Sequence, residues 1–164
     1  MHIPSSSTGP EGLPTLFATN TLAPFTLTCL VQPPPKNLVF LSSVLHNSGD
    51  ASLRDIKAAS YSDSKLHNMM LAFYFARQPA FRHTVVSSLD PGWVQTKMGG
   101  GSATDDIGAA IKDYVALAEG KLGASGKHWY HGKERSFQSE AADERAQDKL
   151  VAELREISGV NVPQ

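Results

Sequence analysis

The chain has 164 residues, a formal net charge of −1 at pH 7 and a hydrophobic fraction of 41%, which suits one folded domain with its own core. Because the charge is close to zero, there is no electrostatic basis for binding nucleic acid or an anionic membrane. No apolar run approaches the ~18 residues of a membrane span, no secretory signal is recognised, and the single cysteine, Cys29, excludes an internal disulfide. We therefore expect a cytoplasmic protein.

Hydrophobic periodicity, interrupted by prolines, predicts that helices alternate with short strands. The strands are rich in β-branched residues and alternate poorly, as buried parallel strands do. This order predicts a single α/β domain over residues 1–164, irregular at 1–12, with three parallel strands, right-handed crossovers and helices on both faces. The predicted elements are a helix over 13–32, a strand over 38–41, a helix over 60–78, a strand over 84–89, a helix over 103–117, a short strand over 127–130 and a helix over 140–157.

Tyr61 and Lys65 stand four residues apart at the start of the predicted helix 60–78, so their side chains share one face. A free tyrosine has a pKa near about 10, which is too high for easy acid–base catalysis at neutral pH. A neighbouring ammonium favours the phenolate and lowers this pKa, so the pair is a candidate general acid or base. The same spacing is also typical of a solvated lysine beside a half-buried ring.

Polar residues occur at three other positions that suit a site. Ser42 and Ser43 end the first predicted strand, and they face opposite sides because strand side chains alternate. The segment 90–92, Asp-Pro-Gly, follows the second predicted strand and is also an ordinary turn signal. Asn20 precedes Pro24 by four residues, so its carbonyl lacks a helical donor and can accept from water. A polar residue at a helix kink and a serine that merely ends a strand are the competing interpretations.

The order of four elements resembles that of the short-chain dehydrogenase/reductase family. These elements are the helix with Asn20, the strand ending at Ser43, the helix with Tyr61 and Lys65, and the strand followed by Pro-Gly-Trp-Val-Gln-Thr at 91–96. The resemblance runs from the first helix to the end of that last motif and more loosely to the C-terminus. It implies part of a Rossmann-type doubly wound sheet. It also implies an oxidoreductase that interconverts a small-molecule carbonyl and alcohol by hydride transfer, with NAD or NADP as cofactor.

The resemblance implies a role for each of these residues. Ser43 would orient the substrate carbonyl, and Tyr61 would donate or accept the proton. Lys65 would lower the pKa of Tyr61 and bind the nicotinamide ribose, so both residues also count as cofactor-binding. Asn20 would complete the catalytic tetrad through a water relay to the lysine. The loop that would receive the nicotinamide carboxamide contains Pro91, Gly92, Val94 and Thr96.

The glycine-rich turn that holds the pyrophosphate in this family is not recognised in the sequence. Such a fingerprint follows a strand within a unit of roughly 30 residues, whereas only residues 1–12 precede the first predicted helix. The glycines at 99–101 and 120–126 lie downstream and are typical of loops. The chain therefore resembles the second half of a dehydrogenase, and preference between NAD and NADP is determined in the other half.

Two functional classes remain open. The chain is either a truncated short-chain oxidoreductase or a non-catalytic homologue that serves as an interaction module. The second class is considered because helices 13–32 and 60–78 resemble those through which family members pair, which also implies a homodimer through these helices. No metal site is expected at His128 and His131, because their spacing puts them on opposite faces of a strand and no cysteine or carboxylate cluster accompanies them.

Overall fold

The computed structural model describes residues 7–9, 11–122 and 124–164, so part of the predicted irregular segment 1–12 lies outside the described residues. Helices and strands alternate in the predicted order. The strands are β1 (Asn37–Leu41), β2 (Val85–Leu89), β3 (Lys127–Tyr130) and β4 (Lys133–Glu134), and the longer helices are α1 (15–30), α2 (Tyr61–Ala76), α3 (Ile107–Ala118) and α4 (Glu144–Ser158). None of the helices in the described ranges is long and apolar enough to cross a membrane.

The sheet has the order β1-β2-β3-β4, and its first three strands are parallel. Asn37 pairs with Val85, and Ser87 pairs with Lys127, which confirms the three parallel strands predicted from the sequence. The fourth strand, β4, was not predicted; it runs antiparallel to β3 after a tight turn at 131–132. A strand of two residues has no measurable periodicity, so the pattern that reveals the other strands cannot reveal this one.

The main hydrophobic core lies between α2 and one face of the sheet. Phe40 of β1 stacks on Phe75 of α2 with ring centroids 5.9 Å apart, and Val86 of β2 joins the same cluster. Helix α4 contributes the fully buried Leu150 and Leu154. Each buried ring or leucine of this kind contributes about 3 kcal/mol or more, as judged from truncation to alanine.

Helix α3 covers the opposite face of the sheet. The Asn37 side chain, which alternates with those that face the core, donates through Nδ2 to the Ala118 carbonyl at the end of α3, at 2.9 Å. The sheet therefore has helices on both faces, as the α/β prediction requires. Helices α3 and α4 begin later than predicted, because Asp106 and Asp143 accept hydrogen bonds from their first turns and act as N-caps.

Helix α1 contains a π-helical segment, Ala18–Leu22, in which the Ala23 N–H donates to the Ala18 carbonyl five residues earlier. Pro24 has no N–H to offer the Asn20 carbonyl, and the widened turn accommodates this loss. The disturbance of the helix at Pro24 was predicted from the sequence. Helix α1 is otherwise continuous, and it consists of Thr15–Phe17, the π-helical segment and Ala23–Leu30.

Helix α2 offers little surface for the homodimer predicted through helices 13–32 and 60–78. Between Ser64 and Phe75, every residue of α2 except Tyr74 is already buried within the described chain. Helix α1 still exposes Leu27 and Leu30, which are 61% and 62% accessible to solvent. Helix α2 is covered within the chain by the 3-10 turn Val44–Ser48, by β1 and β2 and by α4, and the homodimer stays a prediction.

Candidate active site

A cavity of about 640 Å³ opens beyond the carboxyl ends of β1 and β2. This edge is where parallel α/β sheets bind ligands, and the volume is in the usual range for small-molecule sites. The walls come from the segments that follow the two strands, from the first turn of α2 and from the β3–β4 hairpin. The residues that line the cavity are Ser43, Val44, Leu45, Ser60, Tyr61, Ser62, Asp90, Gly92, Trp93, Met98, Gly99, Asp105, Tyr130 and Arg135.

Ser43 lines the cavity, whereas its neighbour Ser42 points into the protein. The Ser42 hydroxyl donates to the Lys65 carbonyl of α2 at 2.9 Å. Ser43 is the N-cap of a 3-10 turn, Val44–Ser48, and its Oγ accepts a hydrogen bond from the Leu45 N–H at 3.3 Å. The two serines face opposite sides as strand alternation predicts, which leaves Ser43 as the hydroxyl on the cavity side.

A capping box at the start of α2 places Tyr61 in the cavity wall. The Asp63 N–H donates to Ser60 Oγ at 3.2 Å, and the Ser60 N–H donates to the Asp63 carboxylate at 2.7 Å. The same carboxylate accepts from the Asp50 N–H at 2.7 Å. The residue after the cap, Tyr61, is therefore held at a well-defined helix end and is half-buried there.

Tyr61 and Lys65 share one face of α2, which confirms the geometry predicted from their spacing. The Lys65 Nζ lies 5.3 Å from the centre of the Tyr61 ring and donates to the Leu41 carbonyl at 3.1 Å. The pKa of Tyr61 was predicted to be lowered, and this direction is wrong. Burial raises the pKa of Tyr61 and the carboxylate of Asp90 raises it further. Burial also lowers the pKa of the Lys65 ammonium, because loss of hydration disfavours its charged form.

Asn20 is buried in the π-helical segment of α1 and connects that segment to α2. Its Nδ2 donates to Ser64 Oγ at 3.2 Å, and the Ser64 hydroxyl donates to the Tyr61 carbonyl at 2.7 Å. Asn20 is therefore two hydrogen bonds from the backbone of Tyr61, although it does not line the cavity itself. Its predicted water relay to Lys65 stays a prediction.

The predicted carboxamide loop after β2 is held in shape by its own contacts. Gly92 has a φ of 80°, and its N–H donates to Asp90 Oδ1 at 2.9 Å. A Cβ at Gly92 would lie 2.5 Å from Asp105 Oδ2, so the position requires glycine. Gly92 lines the cavity. The other predicted loop residues lie outside the lining: Pro91, Val94 and Thr96.

Comparison with known proteins identifies relatives of the whole described fold. No protein-family model matches the chain. The chain is 40% identical over 154 residues to an uncharacterized oxidoreductase of Emericella nidulans, covering 90% of this chain and 60% of the relative. It is 34% identical over 166 residues to the short-chain dehydrogenase chyC of Penicillium rubens, covering 93% of this chain and 63% of the relative. The chain belongs to the short-chain dehydrogenase/reductase family.

The chain spans about 60% of the length of the curated family members that it matches. A solved structure from Burkholderia multivorans, described as a short-chain dehydrogenase/reductase with bound NADP, has the same fold. The TM-score is 0.57 at 20% identity, over 84% of this chain and 62% of that chain. The likeness shows that β1 to β4 and their helices form part of a Rossmann-like domain.

An ion pair in the cavity was missed by the sequence analysis. Asp90 is 2% exposed, and its Oδ2 accepts a hydrogen bond from Arg135 Nη1 at 3.1 Å. The Arg135 guanidinium lies over the ring of Tyr130, 4.3 Å from its centroid. Arg135 belongs to no motif and stands 45 residues from its partner, so no local signal could have found the pair.

Asn68 was also missed, although its spacing offered a signal. It stands three residues after Lys65 and therefore on the same face of α2. Its Nδ2 donates to the Leu41 carbonyl at 3.2 Å, which Lys65 also contacts. The two side chains together connect α2 to the end of β1.

The histidines of β3 and its turn do not form a metal site within the described residues. His128 Nδ1 lies 3.1 Å from Ser88 Oγ, while His131 stacks on Tyr130 with centroids 3.9 Å apart. No group of three or more histidine, cysteine or carboxylate side chains is placed to hold an ion in the described part of the chain.

Proposed function

We propose that the chain provides the catalytic half of an NAD(P)-dependent oxidoreductase that interconverts a carbonyl compound and an alcohol. The observation that carries the proposal is one cavity lined by Ser43 and Tyr61, with the Lys65 ammonium 5.3 Å from the phenol ring. The names of the relatives support an oxidoreductase, and the bound NADP of the Burkholderia multivorans structure supports a nicotinamide cofactor. None of the relatives described above favours the alternative of a non-catalytic interaction module.

The residues of the cavity fit the nicotinamide end of such a cofactor. The volume has room for a nicotinamide ring together with a small carbonyl compound. Lys65, which lies beside Tyr61 and outside the cavity lining, would hold the ribose, and the loop at Gly92 would receive the carboxamide. When bound, the cofactor supplies or accepts a hydride. Among residues 11–122 and 124–164, no strand is followed directly by a glycine-rich turn and a helix, the arrangement that holds a pyrophosphate.

Tyr61 would serve as the general acid in carbonyl reduction. The Tyr61 phenol lines the cavity and is protonated at neutral pH, so it can give its proton to the carbonyl oxygen. The Ser43 hydroxyl would donate a hydrogen bond to the same oxygen as negative charge develops there. In alcohol oxidation, the phenolate would take the proton back.

The walls of the cavity suit an uncharged substrate. Both carboxylates are engaged, since Asp90 pairs with Arg135 and Asp105 Oδ2 accepts from the Trp93 N–H at 2.6 Å. Four large apolar side chains of the walls are exposed: Val44, Leu45, Trp93 and Met98. A carbonyl compound with an apolar body would bury surface here without leaving a charge unpaired.

The test joins the chain to the N-terminal part of a related dehydrogenase, the part that the alignment does not cover. The fused protein should oxidise NADPH or NADH with apolar aldehydes or ketones. Tyr61→Phe should lower kcat by roughly 10²-fold or more, because the proton donor is lost while the ring stays packed. Tyr74→Phe, on the same helix but outside the cavity lining, is the matched control and should keep wild-type turnover. A folded fusion that binds NADPH yet keeps full turnover with Tyr61→Phe would contradict the proposal.

A further inference from the structure

His46 is a buried histidine that the proposed chemistry does not use. It stands three residues after Ser43, inside the 3-10 turn Val44–Ser48, and is 1% exposed. Its Nδ1 lies 2.6 Å from the Ser43 carbonyl oxygen, and its Nε2 lies 3.4 Å from the backbone nitrogen of Gln138. A carbonyl oxygen only accepts and a backbone N–H only donates, so the imidazole must carry its proton on Nδ1.

The Ser43 carbonyl accepts from His46 twice, because the His46 N–H also donates to it at 3.0 Å. By contrast, within the described residues Ser43 Oγ has a single long hydrogen bond, from the Leu45 N–H at 3.3 Å. The peptide that follows Ser43 is therefore held more firmly than its hydroxyl. Leu45 and Val44 are both exposed at the cavity mouth, so their side chains do little to hold the turn in place.

Gln138 fixes the other end of this arrangement. Its Nε2 donates to the Gly49 carbonyl at 3.3 Å, directly after the turn that contains His46. Three residues earlier, Arg135 pairs with Asp90 at the start of the loop after β2. The segment 135–138 thus contacts both the turn after β1 and the loop after β2, which form two walls of the cavity.

We propose that His46 is a positioning residue for Ser43: by donating to the Ser43 carbonyl while accepting from Gln138, it fixes the backbone from which the Ser43 hydroxyl reaches the substrate. The inference rests on the proposed function, in which that hydroxyl orients the reacting carbonyl. A displacement of about 1 Å at a reacting group can cost on the order of 10²-fold in rate, so a buried anchor beside Ser43 has a direct effect on turnover.

Two substitutions separate the contacts of His46. The amide nitrogen of asparagine takes the place of Nδ1, so His46→Asn keeps the hydrogen bond to Ser43. The amide of glutamine takes the place of Nε2, so His46→Gln keeps only a contact to Gln138. In the active fusion, His46→Gln should lower kcat by about 10-fold or more with little change in KM, while His46→Asn should stay within about threefold of wild type.

A double-mutant cycle tests whether the effect passes through Ser43. In a Ser43→Ala background, His46→Gln should cause no further loss of kcat, because the hydroxyl it positions is gone. The control is His67→Gln, another buried histidine, whose Nδ1 lies 3.3 Å from Thr21 Oγ1 and not near Ser43. Its effect on kcat should be the same in both backgrounds. Equal losses for the two His46 variants, or a full effect of His46→Gln in the Ser43→Ala background, would overturn the proposal.

A measurement on the unmodified chain does not depend on turnover. Nitrogen-15 chemical shifts of the histidine side chains distinguish the two neutral tautomers, and His46 should carry its proton on Nδ1 at neutral pH. An Nε2-protonated or doubly protonated ring would overturn the proposal even if every His46 variant failed to fold. An inactive fusion with the expected tautomer would instead count against the proposed function alone.

Discussion

The Lys65 ammonium lies 5.3 Å from the centre of the Tyr61 ring and donates to the Leu41 carbonyl, the last residue of β1. One side chain therefore connects the proposed acid to the end of the strand that precedes Ser43. Lys65 is 8% exposed, and a buried ammonium needs such a partner to offset the loss of its hydration. The lysine thus has a structural contact in addition to its proposed chemical roles.

Lys65→Met in the active fusion should damage both turnover and cofactor binding. The substitution keeps most of the side-chain length but removes the charge and the donor assigned to the ribose. We expect a fall of roughly 10²-fold in kcat and a rise of about 10-fold in the cofactor KM. Steady-state kinetics with varied NADPH measures both quantities. Asn68→Leu, which removes the other donor to the Leu41 carbonyl without removing a charge, is the matched control. Equal effects of the two variants would show that only the shared hydrogen bond matters.

Ser42→Ala and Ser43→Ala should separate stability from chemistry. Ser43→Ala should lower kcat by about 10²-fold with little change in stability, because its hydroxyl faces the cavity. Ser42→Ala should lower the free energy of unfolding by about 1 kcal/mol, because the buried Lys65 carbonyl loses a donor. Kinetics of the fusion and urea unfolding provide the two readouts. The opposite pattern would show that the two serines were assigned to the wrong sides of the strand.

The isolated chain should bind neither NAD nor NADP with useful affinity. Among its described residues only the nicotinamide end of the cofactor has a matching cavity, and the pyrophosphate contributes much of the usual contact surface. Isothermal titration calorimetry with NADPH should show no saturable binding. A micromolar dissociation constant for the unfused chain would be incompatible with this expectation.

The isolated chain should also self-associate. Strand β1 is at the edge of the sheet, and the neighbouring helix α3 exposes an apolar row. Ile111→Glu should shift the chain toward the monomer in sedimentation velocity, whereas Lys112→Glu, next to it and also exposed, should not. A monodisperse wild-type monomer would contradict the prediction. The members of the apolar row are Ile107, Ile111, Tyr114 and Val115.

Stability should fall as the pH is lowered from 6.5 toward 4. Burial lowers the pKa of His67 to about 4 and that of His128 to about 4, against an ordinary value of 6.5. Between these values the unfolded chain binds protons that the folded chain excludes, so unfolding is favoured as pH decreases. Each histidine contributes a slope of about 1.4 kcal/mol per pH unit.

The measurement is the free energy of unfolding in urea at several pH values across this range. His67→Gln should reduce the slope by about 1.4 kcal/mol per pH unit, because the unfolded variant no longer binds a proton at this position. His83→Gln, at an exposed position, should leave the slope unchanged. An unchanged slope in His67→Gln would mean that this imidazole already titrates normally in the folded protein.

Much of the fold could be predicted because its signals are local. The proline after α2 indicates where that helix ends, and the β-branched residues of β2 indicate a strand. Strand β3 was predicted with both ends correct. The ends of α2 and α3 differ from the predictions by a few residues, because capping depends on which side chain turns back to the helix. Strand β4 forms because it pairs with β3, and no feature of the sequence Lys133–Glu134 predicts this pairing.

The same distinction applies to the site. The sequence by itself determined that Tyr61 and Lys65 share a face and that Ser42 and Ser43 face opposite sides, because the periods of helix and strand decide both relations. The choice of Ser43 for the substrate side came from the resemblance to the family. Only the tertiary structure decided that Arg135 reaches Asp90 across 45 residues.

The contact between His46 and Gln138, across 92 residues, was likewise decided only by the tertiary structure. The tertiary structure also decided the direction of the Tyr61 pKa. Local spacing places a lysine beside the phenol, but burial by distant segments and the carboxylate of Asp90 raise the pKa of Tyr61.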